Sequence, residues 1–208
     1  MHALLHIDSS PMGERSISRN LTWEFVNQWR AVNPEGWVIR RDLAAITIPV
    51  VDAAWIAANY TQKESRTSAQ HETLALSSLL TQELLDADEY VIGVPMHNWG
   101  PAASFRLWMD QVVRFGETVA VTPTGTEGTL NGKRLTCVLT AGRHYGPDTE
   151  NAGRNHLEPW LRTFFGNLGV RYMRFIFVDG TVEVIRGRIA QADFLAPHLA
   201  AIGARPSL

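Results

Sequence analysis

Residues 90–100 run Tyr90-Val91-Ile92-Gly93-Val94-Pro95-Met96-His97-Asn98-Trp99-Gly100. The first five carry no polar side chain that would face water and show no alternation, the pattern of a strand covered by helices on both faces. Pro95, with no N–H to give a ladder, is read as the end of that strand. Beyond it two large rings and an amide side chain follow within four residues. An apolar strand that opens into such a loop is the carboxyl edge of a parallel sheet, where α/β proteins place their ligands.

The flanking sequence fits that reading. Upstream, a short apolar strand at residues 3–7 leads through a serine-containing loop to a helix at 16–32, in which Leu21, Phe25 and Trp29 recur every four residues on one face. A second strand is expected at 37–41, then a long Ile/Pro/Val-containing connection at 42–60 and a helix at 67–85. Downstream, the pattern predicts a helix at 103–113, a Thr/Gly-rich hairpin at 119–132, a fourth strand at 135–140, a helix at 156–168, a fifth strand at 174–178 and a last helix at 184–199. Strands alternating with helices give an α/β class, read here as one domain over residues 1–208. Five strands joined by helices form a doubly wound parallel sheet with helices on both faces, for which the order 2-1-3-4-5 is expected. In that order the first and third strands are neighbours whose connections leave on opposite faces. Three loops, 8–18, 95–100 and 140–146, then border one crevice.

Composition narrows the function. With 19 Lys and Arg against 21 Asp and Glu, the net charge of -2 provides no global field to recruit nucleic acid or an anionic membrane. No window holds the roughly 18 uninterrupted apolar residues of a membrane helix, and no charged, apolar leader is evident, so a cytoplasmic protein is expected. The single cysteine, Cys137, lies in the apolar run Leu135-Thr136-Cys137-Val138-Leu139 and reads as a buried, inert thiol. The seven histidines show no metal-ligand spacing, and no metal is expected.

The first crevice loop offers Ser9, Ser10, Ser16 and Ser18 around the start of a helix. A helix N-terminus leaves N–H groups unpaired and carries about half a positive charge, so a phosphate docks there without a lysine; the plain alternative is that Ser16 only caps the helix. No G-x-G-x-x-G follows the first strand, and Gly128, Gly132 and Lys133 have the wrong spacing and context for a triphosphate loop. A mononucleotide fits best. The second loop, Pro95-Met96-His97-Asn98-Trp99-Gly100, suits the face and edge of a flat heteroaromatic ring, against the alternative of a tight turn anchored by a buried Trp99. In the third loop, Thr140-Ala141-Gly142-Arg143-His144-Tyr145-Gly146, glycine permits close backbone approach.

Taken together, Ser9, Ser16-Ile17-Ser18, Pro95-Met96-His97-Asn98-Trp99 and Thr140-Ala141-Gly142-Arg143-His144-Tyr145 resemble the FMN-dependent NADH azoreductases, also described as NADH:quinone oxidoreductases, of flavodoxin-like fold. The similarity extends to Arg41-Asp42-Leu43-Ala44-Ala45, Ile48-Pro49-Val50-Val51-Asp52, residues 128–133 and Glu158-Pro159-Trp160-Leu161, nearly the whole chain in order. The resemblance implies that Ser9, Ser16 and Ser18 hold the FMN phosphate and adjoining ribityl chain, that Met96, His97, Asn98 and Trp99 line the isoalloxazine, and that Thr140, Gly142 and His144 close the other side. Ser10, Ile17, Pro95, Ala141 and Arg143 complete the expected cofactor-binding set. It also implies a homodimer with the flavin sites at the subunit interface. Two departures stand out: Met96-His97-Asn98-Trp99 replaces the usual Met-Tyr-Asn-Phe, and Thr140-Ala141-Gly142-Arg143 replaces Ser-Arg-Gly-Gly.

The activity so implied is two-step: NADH, or NADPH, delivers hydride to the flavin, leaves, and a quinone, azo or nitroaromatic acceptor is reduced in the same place. The protein contributes position and electrostatics, with no certain catalytic side chain. His97 and His144 are the candidates for donating a proton to the acceptor. A specialised relative acting on a biosynthetic intermediate and a flavodoxin-like electron carrier are the alternatives; the weak net charge provides little of the acidic docking surface a carrier uses. A Ser/His/Asp hydrolase built on Ser9 or Ser10 lacks the G-x-S-x-G elbow.

Overall fold

A computed structural model describes residues 2–203. Five parallel strands form the main sheet: β1 (Ala3–Asp8), β2 (Trp37–Asp42), β3 (Glu89–His97), β7 (Arg134–Thr140) and β8 (Tyr172–Val178), in the order β2-β1-β3-β7-β8. This is the expected 2-1-3-4-5 order. A two-residue strand, β4 (Gly100–Pro101), folds back antiparallel onto the end of β3, and β5 (Val119–Thr122) pairs with β6 (Gly125–Gly128) as the anticipated hairpin.

Side-chain alternation along β1 assigns the two faces. Leu4 packs with Leu21, Phe25, Val26 and Trp29 of α1 (Ile17–Val32), and that cluster continues to Leu195 and Ile202 of the C-terminal helix. Ala3, Leu5 and Ile7 point to the other face, against Leu80 and Leu84 of α4 (Ala75–Asp86), Phe105 and Trp108 of α5 (Ala103–Val112), and Leu161 and Phe165 of α6 (Leu157–Asn167). The helices following β1 and β3 therefore lie on opposite faces, which opens the sheet at the carboxyl ends of those two strands. Burial of Leu5, Ile7, Leu80, Leu84, Phe105, Trp108, Leu161 and Phe165 at roughly 1.5–3 kcal/mol each makes this layer the principal source of stability.

Four expectations require correction. The connection at 42–60, read without an element of its own, contains α2 (Ala53–Tyr60), whose N-cap Asp52 accepts from the Trp55 N–H at 2.8 Å. The single helix at 67–85 is two, α3 (Ser68–Thr73) and α4, because Leu74 leaves helical geometry at φ -92, ψ 0. The last helix is likewise divided into α7 (Val182–Ile185) and α8 (Gln191–Gly203), with Gly187 at φ +68 between them. Finally, β3 continues through Pro95 to His97. Its pairing to β1 ends at Gly93, while the pairing to β7 continues to Pro95 and Thr140, so one edge is free where the missing N–H falls.

Cys137 is wholly buried on β7, and burial pushes its thiol pKa far up, consistent with an inert residue. Among the described residues no helix is long and apolar enough to cross a membrane, and no cluster of three His, Cys, Asp or Glu is placed to hold a metal.

Candidate active site

The three loops predicted to border the crevice do meet at the carboxyl ends of β1, β3 and β7. In the first, Ser16 is the N-cap of α1, and its hydroxyl accepts from the Arg19 N–H at 3.3 Å. The Ser16 and Ser18 hydroxyls stand 3.1 Å apart and both residues are buried. The backbone N–H groups of Ile17 and Ser18 have no protein acceptor among the described residues. The Ile17 side chain is in the core, so only its backbone faces the loop. Ser9 is turned inward: its amide and its hydroxyl both donate to the Gly93 carbonyl, at 3.3 and 2.8 Å, tying the end of β1 to β3. Ser10 Oγ accepts from the Met12 N–H.

Beneath this loop lies a charged lattice that sequence inspection did not identify. Arg19 donates to the Ser10 carbonyl through Nε and Nη2, at 2.9 and 2.7 Å, and to both carboxylate oxygens of Asp42, at 2.7 and 2.6 Å. Its Nη1 is also 3.6 Å from Asp8, whose other oxygen accepts from Thr22 and whose Oδ2 is 3.3 Å from buried His6. The hydrogen bond from Arg19 holds the Asp42 carboxyl below its ordinary pKa, and the same bond raises that of Arg19, each against the opposing effect of burial. The Arg19 charge is thus neutralised inside the scaffold. An anion above the loop would meet unpaired amides and hydroxyls at the positive end of a 16-residue helix.

The second loop is a two-residue hairpin turn. Met96 pairs with Pro101 and His97 with Gly100, leaving Asn98 and Trp99 at the turn with φ +49 and +66. Two consecutive left-handed residues are the mark of a type I′ turn, which usually takes Asn then Gly. Trp99 at the glycine position costs about 1–2 kcal/mol. Of the two readings of this loop the tight turn is present, but Trp99 is 48% exposed and anchors no core. Met96 is partly buried against the main cluster, while His97 and Asn98 are exposed and Pro95 is half-buried.

The third loop is joined to the segment after β8. Ala141 N–H donates to the Val178 carbonyl; in return Thr181 N–H and hydroxyl donate to Ala141, Val182 N–H to Gly142 and Gly180 N–H to Arg143. Thr140 and Ala141 are buried, whereas a Cβ built on Gly142 would meet nothing within 4 Å. The floor of the crevice is therefore backbone with free space above it. His144 Nδ1 lies 3.1 Å from Asp179 Oδ1. Asp179 and Thr181 belong to this site and escaped sequence reading, because their link to it is a contact between β7 and β8 rather than a local motif.

The donor set fits a flavin mononucleotide: unpaired amides and two hydroxyls for a phosphate, a ring-bearing turn beside the switch point, and open space over Gly142 for a flat group.

A family model described as flavodoxin-like fold matches residues 2–201. The chain is 58% identical over 204 residues to the FMN-dependent NADH:quinone oxidoreductase 3 of Burkholderia lata, covering 98% of this chain and 99% of that protein. It is 44% identical to the FMN-dependent NADH:quinone oxidoreductase of Acidobacterium capsulatum, covering 96% of each. Among solved structures, the azoreductase from Bacillus anthracis str. Sterne superimposes with a TM-score of 0.84 at 19% identity, covering 98% of this chain and 97% of that one. An FMN-dependent NADH-azoreductase of the Ames Ancestor strain, solved in complex with FMN, gives 0.81 at 20% identity, covering 98% and 96%. At such identities the structures establish the shared fold; the sequence relatives establish kinship. The chain belongs to the flavodoxin-like fold family and, within it, to the FMN-dependent NADH:quinone oxidoreductases.

Proposed function

We propose that the chain is an FMN-dependent NADH:quinone oxidoreductase that also reduces azo compounds, with residues 1–208 acting as one FMN-binding unit. The observation that carries this reading is the cradle at the start of α1: two unpaired amides and the Ser16–Ser18 hydroxyl pair, beside a crevice whose floor is glycine backbone. The relatives of 58 and 44% identity are named for this same activity.

FMN, when bound, supplies the two-electron chemistry that links NADH to the acceptor. The chain's residues bind and orient. Ile17 and Ser18 amides, with Ser16 and Ser18 hydroxyls, hold the phosphate; Ser9 and Ser10 shape the loop that carries it. Met96, His97, Asn98 and Trp99 flank the ring, and the Pro95-to-Trp99 backbone meets its polar edge. Thr140, Ala141, Gly142, Arg143 and His144 border the opposite side. Backbone donors fixed in this way favour negative charge on a bound group without reorganising.

NADH is the donor in the relatives' names, and a reaction drawing on it supports a cytoplasmic location; a side-by-side rate comparison separates NADH from NADPH. The active form is a homodimer with its flavin sites at the interface. A cleft of about 190 Å³ between α5 and α6, where Trp160 and Phe164 meet Arg106, Asp110, Thr163 and Asn167, is the candidate face for the second copy.

Steady-state kinetics test the activity. Varying NADH at several fixed quinone concentrations gives parallel double-reciprocal lines if one pocket serves both substrates in turn. Absence of quinone-dependent NADH oxidation by the FMN-loaded protein contradicts the reading.

A further inference from the structure

Two histidines border the crevice, and their surroundings differ. His97 is exposed at the turn after β3, and among the described residues its side chain has no hydrogen-bond partner. His144 is held from several sides. Its Nδ1 lies 3.1 Å from Asp179 Oδ1, while the other Asp179 oxygen accepts from the Tyr145 N–H at 2.7 Å, so the carboxylate is fixed at both ends. The His144 carbonyl accepts from Thr149 Oγ1 at 3.1 Å and from Asn151 Nδ2 at 3.0 Å. The ring lies on Gly180, where a Cβ would come within 2.2 Å of Cε1, and Gly180 holds φ +75. Nε2 has no protein partner among the described residues, and 63% of the side chain is exposed.

We infer that Asp179 is the positioning residue for His144, accepting its Nδ1–H so that Nε2 serves as the proton port for the acceptor. This assignment rests on the proposed oxidoreductase activity, whose bookkeeping needs a second proton that such a port would deliver. Converting a quinone to a hydroquinone, or an azo bond to a hydrazo bond, takes up two electrons and two protons. NADH supplies two electrons and one proton as hydride, becoming NAD+. The second proton leaves His144 Nε2 for the acceptor oxygen or nitrogen, and water reprotonates Nε2. A carboxylate at Nδ1 holds the ring orientation and stabilises the charged imidazolium before it gives up its proton. Other titratable groups near the pair include the flanking Arg143 and Tyr145, and Asp148 and Glu150 of the loop whose Thr149 and Asn151 bond the His144 carbonyl. Glu183, whose N–H donates to the Gly180 carbonyl, is another, as is His198 from α8, whose pKa burial lowers against the raising effect of Asp179.

The test compares the wild type with Asp179→Asn, His144→Gln and the double variant. In protein labelled with nitrogen-15 at histidine and free of flavin, neutral His144 carries its proton on Nδ1. In Asp179→Asn the carboxamide donates to Nδ1, and the proton moves to Nε2. In FMN-loaded protein already reduced by NADH, each single substitution slows quinone reduction by about 10²-fold, and the double variant is no slower than His144→Gln alone. In Asp179→Asn the preceding NADH step, which takes no proton from Nε2, slows less than quinone reduction does. A wild-type Nε2–H tautomer, single-variant losses that multiply in the double variant, or unchanged quinone reduction in both single variants each overturns the assignment. Failure to bind FMN or to accept electrons from NADH contradicts the proposed activity instead, and the tautomer measurement still decides whether Asp179 orients His144.

Discussion

Asp42, the last residue of β2, accepts both terminal nitrogens of Arg19 from the first turn of α1, at 2.7 and 2.6 Å. Through Arg19 the edge of the sheet reaches the Ser10 carbonyl, so the loop between β1 and α1 is pinned from below. Replacing Arg19 by Met leaves Asp42 and the Ser10 carbonyl without this partner in a partly buried setting. The expected loss is about 2 kcal/mol in urea unfolding, with FMN affinity falling about tenfold in a fluorescence titration as the loop loosens.

The same pair sets an acid limit. Arg19 depresses the Asp42 pKa in the folded chain, so the pair's stabilisation is fully present above the unfolded carboxyl value of about 4 and is lost as pH falls through the lower folded value. Between pH 5 and 8 this term is flat. Asp42→Asn should remove its share of the acid-side slope, measured by melting temperature against pH, and lower stability across the neutral range.

Ser16 and Ser18 separate capping from binding. Ser16→Ala removes the N-cap acceptor and costs about 1 kcal/mol of stability as well as FMN affinity. Ser18 caps nothing, so Ser18→Ala should weaken FMN with a much smaller change in melting temperature. Equal stability losses in the two variants would mean that the pair is purely structural.

Trp99 occupies a left-handed position at φ +66. Trp99→Gly relieves the turn and should raise stability by about 1 kcal/mol, while shifting the ratio of kcat/KM for a quinone and an azo dye more than the Kd for FMN. Thermal melts and paired kinetics check both halves. A stability loss would mean that the indole packs more than its 48% exposure implies.

Gly128 closes the hairpin against the end of α6. A Cβ there would lie 1.9 Å from the Leu168 carbonyl carbon, and the Leu130 N–H donates to the Leu168 carbonyl at 2.9 Å. Gly128→Ala forces backbone apart and should destabilise by about 2–3 kcal/mol in chemical denaturation.

What could be read in the sequence follows from how local its cause is. The uninterrupted apolar run of β3 and the four-residue spacing of Leu21, Phe25 and Trp29 announce a doubly covered sheet and an amphipathic helix, and both are present. The strand order is the commonest one for five strands alternating with helices, and the sheet has it. The break at Leu74 was hidden because leucine carries no stop signal, and β3 outran Pro95 because the cost of a missing N–H depends on whether a neighbouring strand needs it. Ser16 and Ser18 were legible as a helix start. Asp179 and the Arg19–Asp42 pair were not, since each acts through a partner 23 or more residues away that only sheet topology brings near.

Direct measurement of flavin binding and reduction bears most heavily on the account. The purified chain mixed with FMN should take up one flavin, turn yellow, lose that colour when NADH is added without oxygen or any second protein, and regain it on addition of a quinone. A colourless protein that ignores micromolar FMN would contradict the assignment of the β1–β3 crevice.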